Sequence, residues 1–415
     1  MNSLLSQLLK RIVWHGSLTV TDANGRDHVF GDGTGELQHI VLHDSSVERR
    51  LLRDPELTLG EAYMDGEWSI KSGSLTALLT LFMANLKGSA PPSRLRRLMR
   101  LALRRVAQRN TARAARKNAT HHYDVGNEIY TLFLDEDWQY SCAYFPSADA
   151  SLEEAQLAKK RHIAAKMLLE PGHRVLDIGC GWGGMALYLN EFTGAEVTGI
   201  TLADNQVARA RERAKGRTGL DFRVQDYRAV PETFDRIVSV GMFEHVGVGY
   251  FDDYFQAAHR LLEDDGVMLL HSIGRFDGPG STNPFIAKYI FPGGYIPALS
   301  EVLPAIERAG LYVTDVEILR LHYAETLKNW NARFHAHHDE VVKEKDERFF
   351  RMWDFYLAGS EASFRAGDMM VFQIQLAKRL ETVPLTRDYM ASTERALAAR
   401  DSGRSTGPAL IAGHG

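Results

Sequence analysis

Val-Leu-Asp-Ile-Gly-Cys-Gly-Trp-Gly-Gly, residues 175–184, decides the fold of this chain. A short apolar run ends in an acid and a glycine cluster, and a helical stretch, Met185–Glu191, follows at once. That order is a strand, a tight turn and a helix packed back on the strand. The unit repeats outward in both directions. Arg174–Gly179, Glu196–Thr201, Leu220–Gln225, Asp235–Val240, Val267–Ser272, Tyr312–Leu319 and Met370–Ala377 read as strands. Helical stretches such as Asp204–Lys215 and Tyr250–Leu262 lie between most of them. Seven strands alternating with helices predict an α/β fold, a doubly wound and mostly parallel sheet with helices on both faces. Ligands in such sheets bind beyond the carboxyl ends of the strands.

The rest of the 415 residues divides by composition. Residues 1–88 mix short strands (Ser17–Thr21, His39–Leu42) with a helical stripe, Leu75–Leu86, and predict a smaller N-terminal domain. Residues 89–120 carry ten Arg or Lys residues from Arg94 to Lys117 and no acid. Leu95, Leu98, Met99, Ala102, Leu103 and Val106 recur there at helical spacing. Such a basic amphipathic linker helix suits an anionic membrane surface, or equally a solvated helix docked between domains. Residues 121–390 form the α/β domain, and 391–415, rich in Ala, Ser, Gly and Arg, read as a disordered tail.

Hydrophobic residues are 45% and charged residues 25% of the chain, a globular profile, and a net charge of −4 gives no reason to expect a nucleic-acid partner. Two cysteines, Cys142 and Cys180, make no disulfide framework and fit a reducing cytoplasm. The N-terminus lacks the apolar core of a secretion signal, and no apolar run approaches the roughly 20 residues of a membrane span. A lipid substrate would have to be met from the membrane surface.

In the glycine loop, Gly179, Gly181 and Gly183 allow a tight turn and close approach of backbone to ligand. Dinucleotide and phosphate sites use glycine similarly, but the spacing is not Gly-x-Gly-x-x-Gly and no Gly-Lys-Ser/Thr follows. Asp177 at the strand end can hold a cationic amino-acid ligand. The pattern resembles the first motif of the S-adenosylmethionine methyltransferases and implies a Rossmann-like sheet of that kind. The second strand lacks the acid that often holds the cofactor ribose, so Thr201 and Gln206 are the candidates there. Gln225, Asp226 and Tyr227 offer polar groups and a ring to an adenine, though each alone reads as an ordinary loop residue.

Further motifs sharpen the resemblance. They are His-His-Tyr-Asp-Val-Gly-Asn from His121, Tyr-Ser-Cys-Ala-Tyr-Phe from Tyr140 and Thr-Leu-x-x-Asn-Gln from Thr201. Then come Asp-Arg-Ile-Val-Ser-Val-Gly-Met-Phe-Glu-His-Val-Gly from Asp235 and His-Ser-Ile-Gly from His271. Ile-Phe-Pro-Gly-Gly-Tyr-Ile-Pro from Ile290 and His-Tyr-Ala-Glu-Thr-Leu-x-x-Trp from His322 complete the series. The chain resembles the cyclopropane fatty-acyl-phospholipid synthases and the related mycolic acid cyclopropane synthases across His121–Lys378. Glu61–Trp68 resembles a motif of the phospholipid-acting members.

The resemblance implies methylene transfer from S-adenosylmethionine to the double bond of an unsaturated acyl chain in a membrane phospholipid. It implies Tyr140 and Ser141 in the cofactor site. It also implies a bicarbonate ion as the base, held by the side chains of Cys142, Glu244, His271 and Tyr323 and the backbone of Ile273. No metal is expected; a homodimer, cytoplasmic and peripheral to the inner membrane face, is. Each holder also has an ordinary reading: Cys142 a small buried residue, His271 a core histidine, Glu244 a helix cap. Two departures stand out. Ser360 replaces a cysteine frequent in the family, so no thiol acts there, and Ala203 replaces a serine of the cofactor loop. Methyl-branched products, a small polar acceptor methylated on N or O, and a non-enzymatic lipid-binding relative remain as alternatives. The polar-acceptor reading predicts a polar pocket and has no use for the basic amphipathic helix or for Phe285, Tyr289, Phe291 and Tyr295.

Overall fold

A computed structural model describes residues 1–86, 108 and 126–402. The basic segment 89–120, save Gln108, and residues 121–125 of the motif at His121 lie outside the described residues.

The N-terminal domain is a four-stranded sheet in the order β2-β1-β3-β4, with β1 Ser17–Thr21, β2 Asp27–Phe30, β3 Leu37–Leu42 and β4 Trp68–Ser72. Its expected strands and the Leu75–Leu86 helix are present; β2 and β4 are additions. Both additions are short, and β4 shows no period-two burial that a sequence pattern could reveal.

The second sheet contains all seven expected strands: β5 Arg174–Ile178, β6 Glu196–Thr201, β7 Leu220–Val224, β8 Phe234–Val240, β9 Leu262–Arg275, β10 Tyr312–Ile318 and β11 Met369–Ala377. Their order is β10-β11-β9-β8-β5-β6-β7, and β11 alone runs antiparallel to its neighbours. The order reverses between β5 and β8, which places a crevice at the glycine loop. One face of the sheet is covered by the Phe251–Leu261 and Leu299–Arg308 helices, whose Phe255, Leu261, Val302 and Ile306 are buried. The other face packs on Ile163, Met185, Leu189 and Val207 from the Leu152–Lys166, Gly184–Thr193 and Asp204–Arg213 helices. Gly183 serves this packing: a Cβ there would meet Phe222 at 2.9 Å and Ala210 at 3.0 Å.

Between β10 and β11 the chain makes a helical excursion, His322–Ala336, His338–Glu344 and Glu347–Arg365, over the crevice end of the sheet. The N-terminal domain docks on this excursion. Ala358 and Ala362 of the Glu347–Arg365 helix complete the core around Trp68, Leu78 and Leu79. Tyr63 donates to Asp354 at 2.7 Å, and Gly60 lies so close to Phe285 that a Cβ would stand 2.4 Å from its ring. Phe285 and Tyr289 thus serve the domain junction, Tyr289 donating to Glu61 at 2.8 Å. Tyr295 is part of the sheet core and donates to Glu301 at 2.6 Å. Of the four aromatics in that segment, only Phe291 stands beside His245 and Tyr356 near the crevice.

The expectation of a disordered tail from residue 391 needs correction. Asp388–Asp401 is a helix, with Leu397 buried against the Ile163 face and Asp401 taking a bidentate grip from Arg161 at 2.7 and 3.1 Å. Alanine is a strong helix former, so the small-residue composition of this stretch supports a helix as well as a disordered tail. Residues 403–415 lie outside the described set.

Candidate active site

At the carboxyl ends of β5, β6 and β8 a cleft is lined by Tyr140, Ser141, Asp177, Gly179, Gly181, Thr201, Gln206, Gln225, Asp226 and Tyr227. These are ten of the eleven residues expected to hold the cofactor; Gly183 instead faces the helix packing. Gly179 and Gly181 have φ of +85° and +54°, a region that L side chains rarely adopt, so glycine is required for the turn. Thr201 donates to the carbonyl of Gln206 at 2.8 Å, which leaves the Gln206 Nε2 buried without a partner. Asp226 is less available: Arg228 holds both its oxygens at 2.8 and 2.6 Å. Gln225 donates to the Ala229 carbonyl at 3.1 Å.

Asp177 is 2% exposed, and its Oδ2 has no hydrogen-bond partner. Burial pushes its carboxyl up to about 7, against the pull of Lys159. A buried, unpaired carboxylate oxygen in a glycine-lined cleft fits the ammonium of S-adenosylmethionine, so these residues suit that cofactor. Ionised Asp177 attracts that ammonium and protonated Asp177 does not. Affinity for S-adenosylhomocysteine is therefore expected to drop about tenfold per pH unit below about 7 and to level off above it. Asp177→Asn should remove the slope and weaken binding by about 1.5–3 kcal/mol, measured calorimetrically across the pH range.

Sequence reasoning missed Lys159. The Leu152–Lys166 helix opens with a capping box between Ser151 and Glu154 and carries Lys159 to full burial beneath the cleft. Its ammonium donates to Gln139 at 2.7 Å and Ser141 at 2.8 Å, both cleft-lining. The adjacent Lys160 is buried too and pairs with Asp137 at 2.5 Å. Trp138 and Trp182, also missed, meet edge to face at the cleft wall, and Arg209 lies over Trp138.

The five residues expected to hold an anion do not line the cleft. Glu244, in the Phe243–His245 turn after β8, accepts from the Ile273 N–H of β9 at 2.6 Å, while its Oε2 is buried without a partner. Burial pushes its carboxyl up to about 7, opposed by the Ile273 hydrogen bond. His271, two residues before Ile273, is 2% exposed and pushed down to about 3, chiefly by burial. Cys142 is buried beside Thr326, its thiol pushed far up by burial, and Tyr323 lies on the same helix as Thr326. Neutral Cys142 and His271 with a half-protonated Glu244 are a donor set compatible with one bound anion. The Ile273 N–H is already engaged by Glu244.

Against the cleft at Tyr140 stands a wall of buried rings. Tyr140 stacks on Trp330 at 5.2 Å and meets Tyr130 edge to face at 5.1 Å. Phe133, Trp353 and Tyr356 continue the wall, with Tyr140 and Tyr356 joined through their hydroxyls at 3.0 Å.

A family model for mycolic acid cyclopropane synthetase matches residues 110–374. The cyclopropane-fatty-acyl-phospholipid synthase of Escherichia coli strain K12 is 38% identical over 333 residues, 80% of this chain and 86% of its own length. This chain belongs to the mycolic acid cyclopropane synthetase family. It is an S-adenosylmethionine-dependent enzyme of the methyltransferase class. A second relative in the family, the tuberculostearic acid methyltransferase of Mycobacterium tuberculosis, is 33% identical and covers 91% of both chains. Among solved family structures, mycolic acid cyclopropane synthase CmaA1 in complex with SAH and CTAB superposes with a TM-score of 0.60 at 35% identity, over 63% of this chain and 97% of that one. A separate model, for a domain of unknown function, matches residues 4–91. No helix among the described residues is long and apolar enough to cross a membrane.

Proposed function

We propose that the enzyme adds a methylene group to the cis double bond of unsaturated acyl chains in membrane phospholipids, forming a cyclopropane ring. The carrying observation is the wall of aromatic rings at Tyr140, which adjoins the cofactor cleft. An alkene is a poor nucleophile, and its attack on a methyl group leaves a carbocation. Ring faces stabilise such a cation in a dry site, whereas a polar N- or O-acceptor gains nothing there.

Bound S-adenosylmethionine supplies the methyl group as a sulfonium. Asp177 and the backbone at Gly179 and Gly181 would orient it, and Tyr140 would stand between it and the acyl chain. Bicarbonate would supply the base that removes the proton before ring closure, held by Cys142, Glu244, His271 and Tyr323, with Ile273 acting through Glu244. Glu244 can meet that anion as the acid, since burial favours its protonated form and two adjacent anions repel. We place the enzyme in the cytoplasm on the inner membrane face, its N-terminal domain and the basic segment 89–120 toward anionic lipid, and expect a homodimer.

A branched, ring-free product is the second reading, favoured by the relative named for tuberculostearic acid. Purified enzyme incubated with methyl-labelled S-adenosylmethionine and mono-unsaturated phospholipid vesicles separates the two. Mass spectrometry of released fatty-acid methyl esters should show a ring product one CH₂ heavier. Methylated but ring-free chains would establish the branched reading, and label absent from lipid would sink both.

A further inference from the structure

Behind the crevice, His271 leads into a line of polar side chains, Gln373, Lys166, Glu317 and His162, to which the chemistry above gives no role. His271 on β9 and Gln373 on β11 are direct partners in the antiparallel register, and Gln373 Nε2 lies 3.1 Å from His271 Nδ1. Lys166, the last residue of the Leu152–Lys166 helix, donates to Gln373 Oε1 at 2.7 Å and pairs with Glu317. Glu317 also receives His162 Nε2 at 2.7 Å. Gln373 and Lys166 are each 1% exposed.

Donor and acceptor logic orients the whole line. An ammonium only donates, so the carbonyl of Gln373 must face Lys166 and its NH₂ must face His271. An amide N–H pointing at Nδ1 needs a lone pair there, so the proton of a neutral imidazole sits on Nε2. Glu317, held well below the usual carboxylate range by His162 and Lys166 despite its burial, remains anionic and opposes the burial that pushes the Lys166 ammonium down. We infer that Gln373 and Lys166 are positioning residues that lock His271 as the Nε2–H tautomer, making it a hydrogen-bond donor to the site's anion and not a base. The functional half of this inference rests on the reading of His271 as an anion holder; the tautomer itself does not.

Ring-nitrogen NMR of enzyme labelled with isotopic histidine, assigned by the signals lost in His271→Asn, reads the tautomer directly. The expected spectrum has an unprotonated Nδ1 and a protonated Nε2 for His271. Gln373→Glu replaces the donor with a carboxylate, which accepts from Nδ1–H, so the proton should move to Nδ1. The same variant should lower kcat about a hundredfold with the KM for S-adenosylmethionine unchanged. A protonated Nδ1 in the wild-type enzyme overturns the inference, whatever the variants do. So does a Gln373→Glu enzyme that folds, keeps the wild-type tautomer and turns over normally. If the tautomer is as assigned yet the wild-type enzyme makes no ring, the lock stands and the proposed reaction falls.

Discussion

Glu244→Gln is expected to lower ring formation by about a thousandfold while cofactor affinity and melting temperature stay close to wild type. Glutamine keeps the carbonyl oxygen that accepts from the Ile273 N–H at 2.6 Å, so the turn after β8 has no reason to move. What is lost is the acid–base capacity of a carboxyl poised at about 7. General acid–base groups at such poise contribute about a hundred- to ten-thousandfold. Product analysis by mass spectrometry, a thermal melt and calorimetry with S-adenosylhomocysteine check the three statements together. Ring formation within tenfold of wild type would remove Glu244 from the chemistry. Loss of cofactor binding or stability would make it a structural residue.

Lys159→Met should act on the other half of the reaction, cofactor binding. The ammonium is the shared donor for Gln139 and Ser141, and its charge opposes the rise of Asp177. Burial pushes Lys159 down to about 8, with Asp135 and Asp137 pulling it back up. Methionine fills similar volume but leaves the buried Gln139 carbonyl unmet, at about 1–3 kcal/mol, and the half-buried Ser141 hydroxyl without its donor. Two wall residues of the cleft lose their tether and Asp177 shifts further toward its protonated form. We expect the dissociation constant for S-adenosylhomocysteine to rise more than about tenfold at pH 7, which corresponds to about 1.4 kcal/mol. Part of that loss should return at higher pH, where Asp177 ionises anyway. Unchanged affinity at pH 7 would show that the loop holds itself.

Most of the architecture was readable because the α/β domain obeys its pattern. Seven apolar runs bounded by turns became seven strands, and the glycine loop fell at the switch of strand order. Cofactor residues were legible for the same reason: turn chemistry at strand ends is local, and glycine at φ +85° leaves a mark in the sequence. Buried polar partners leave no such mark. Lys159, Lys166 and Gln373 read as ordinary surface or strand residues, and only the packing of the Leu152–Lys166 helix turns the lysines inward. The aromatic segment 285–295 was legible as aromatic but not as to which way each ring faces. Phe285 and Tyr289 turned toward a domain more than 200 residues earlier, Tyr289 reaching Glu61 across 228 positions.

That junction sets a timetable. Tyr63 waits for Asp354, 291 residues further along, and the core around Trp68 waits for Ala358 and Ala362. At about 5–20 residues per second, a ribosome takes tens of seconds to deliver the missing helix. Throughout that interval the N-terminal domain has an apolar face that this helix does not yet cover. The N-terminal domain is thus finished only after the C-terminal half of the chain has been made, and until then its open face is a place for a chaperone to bind.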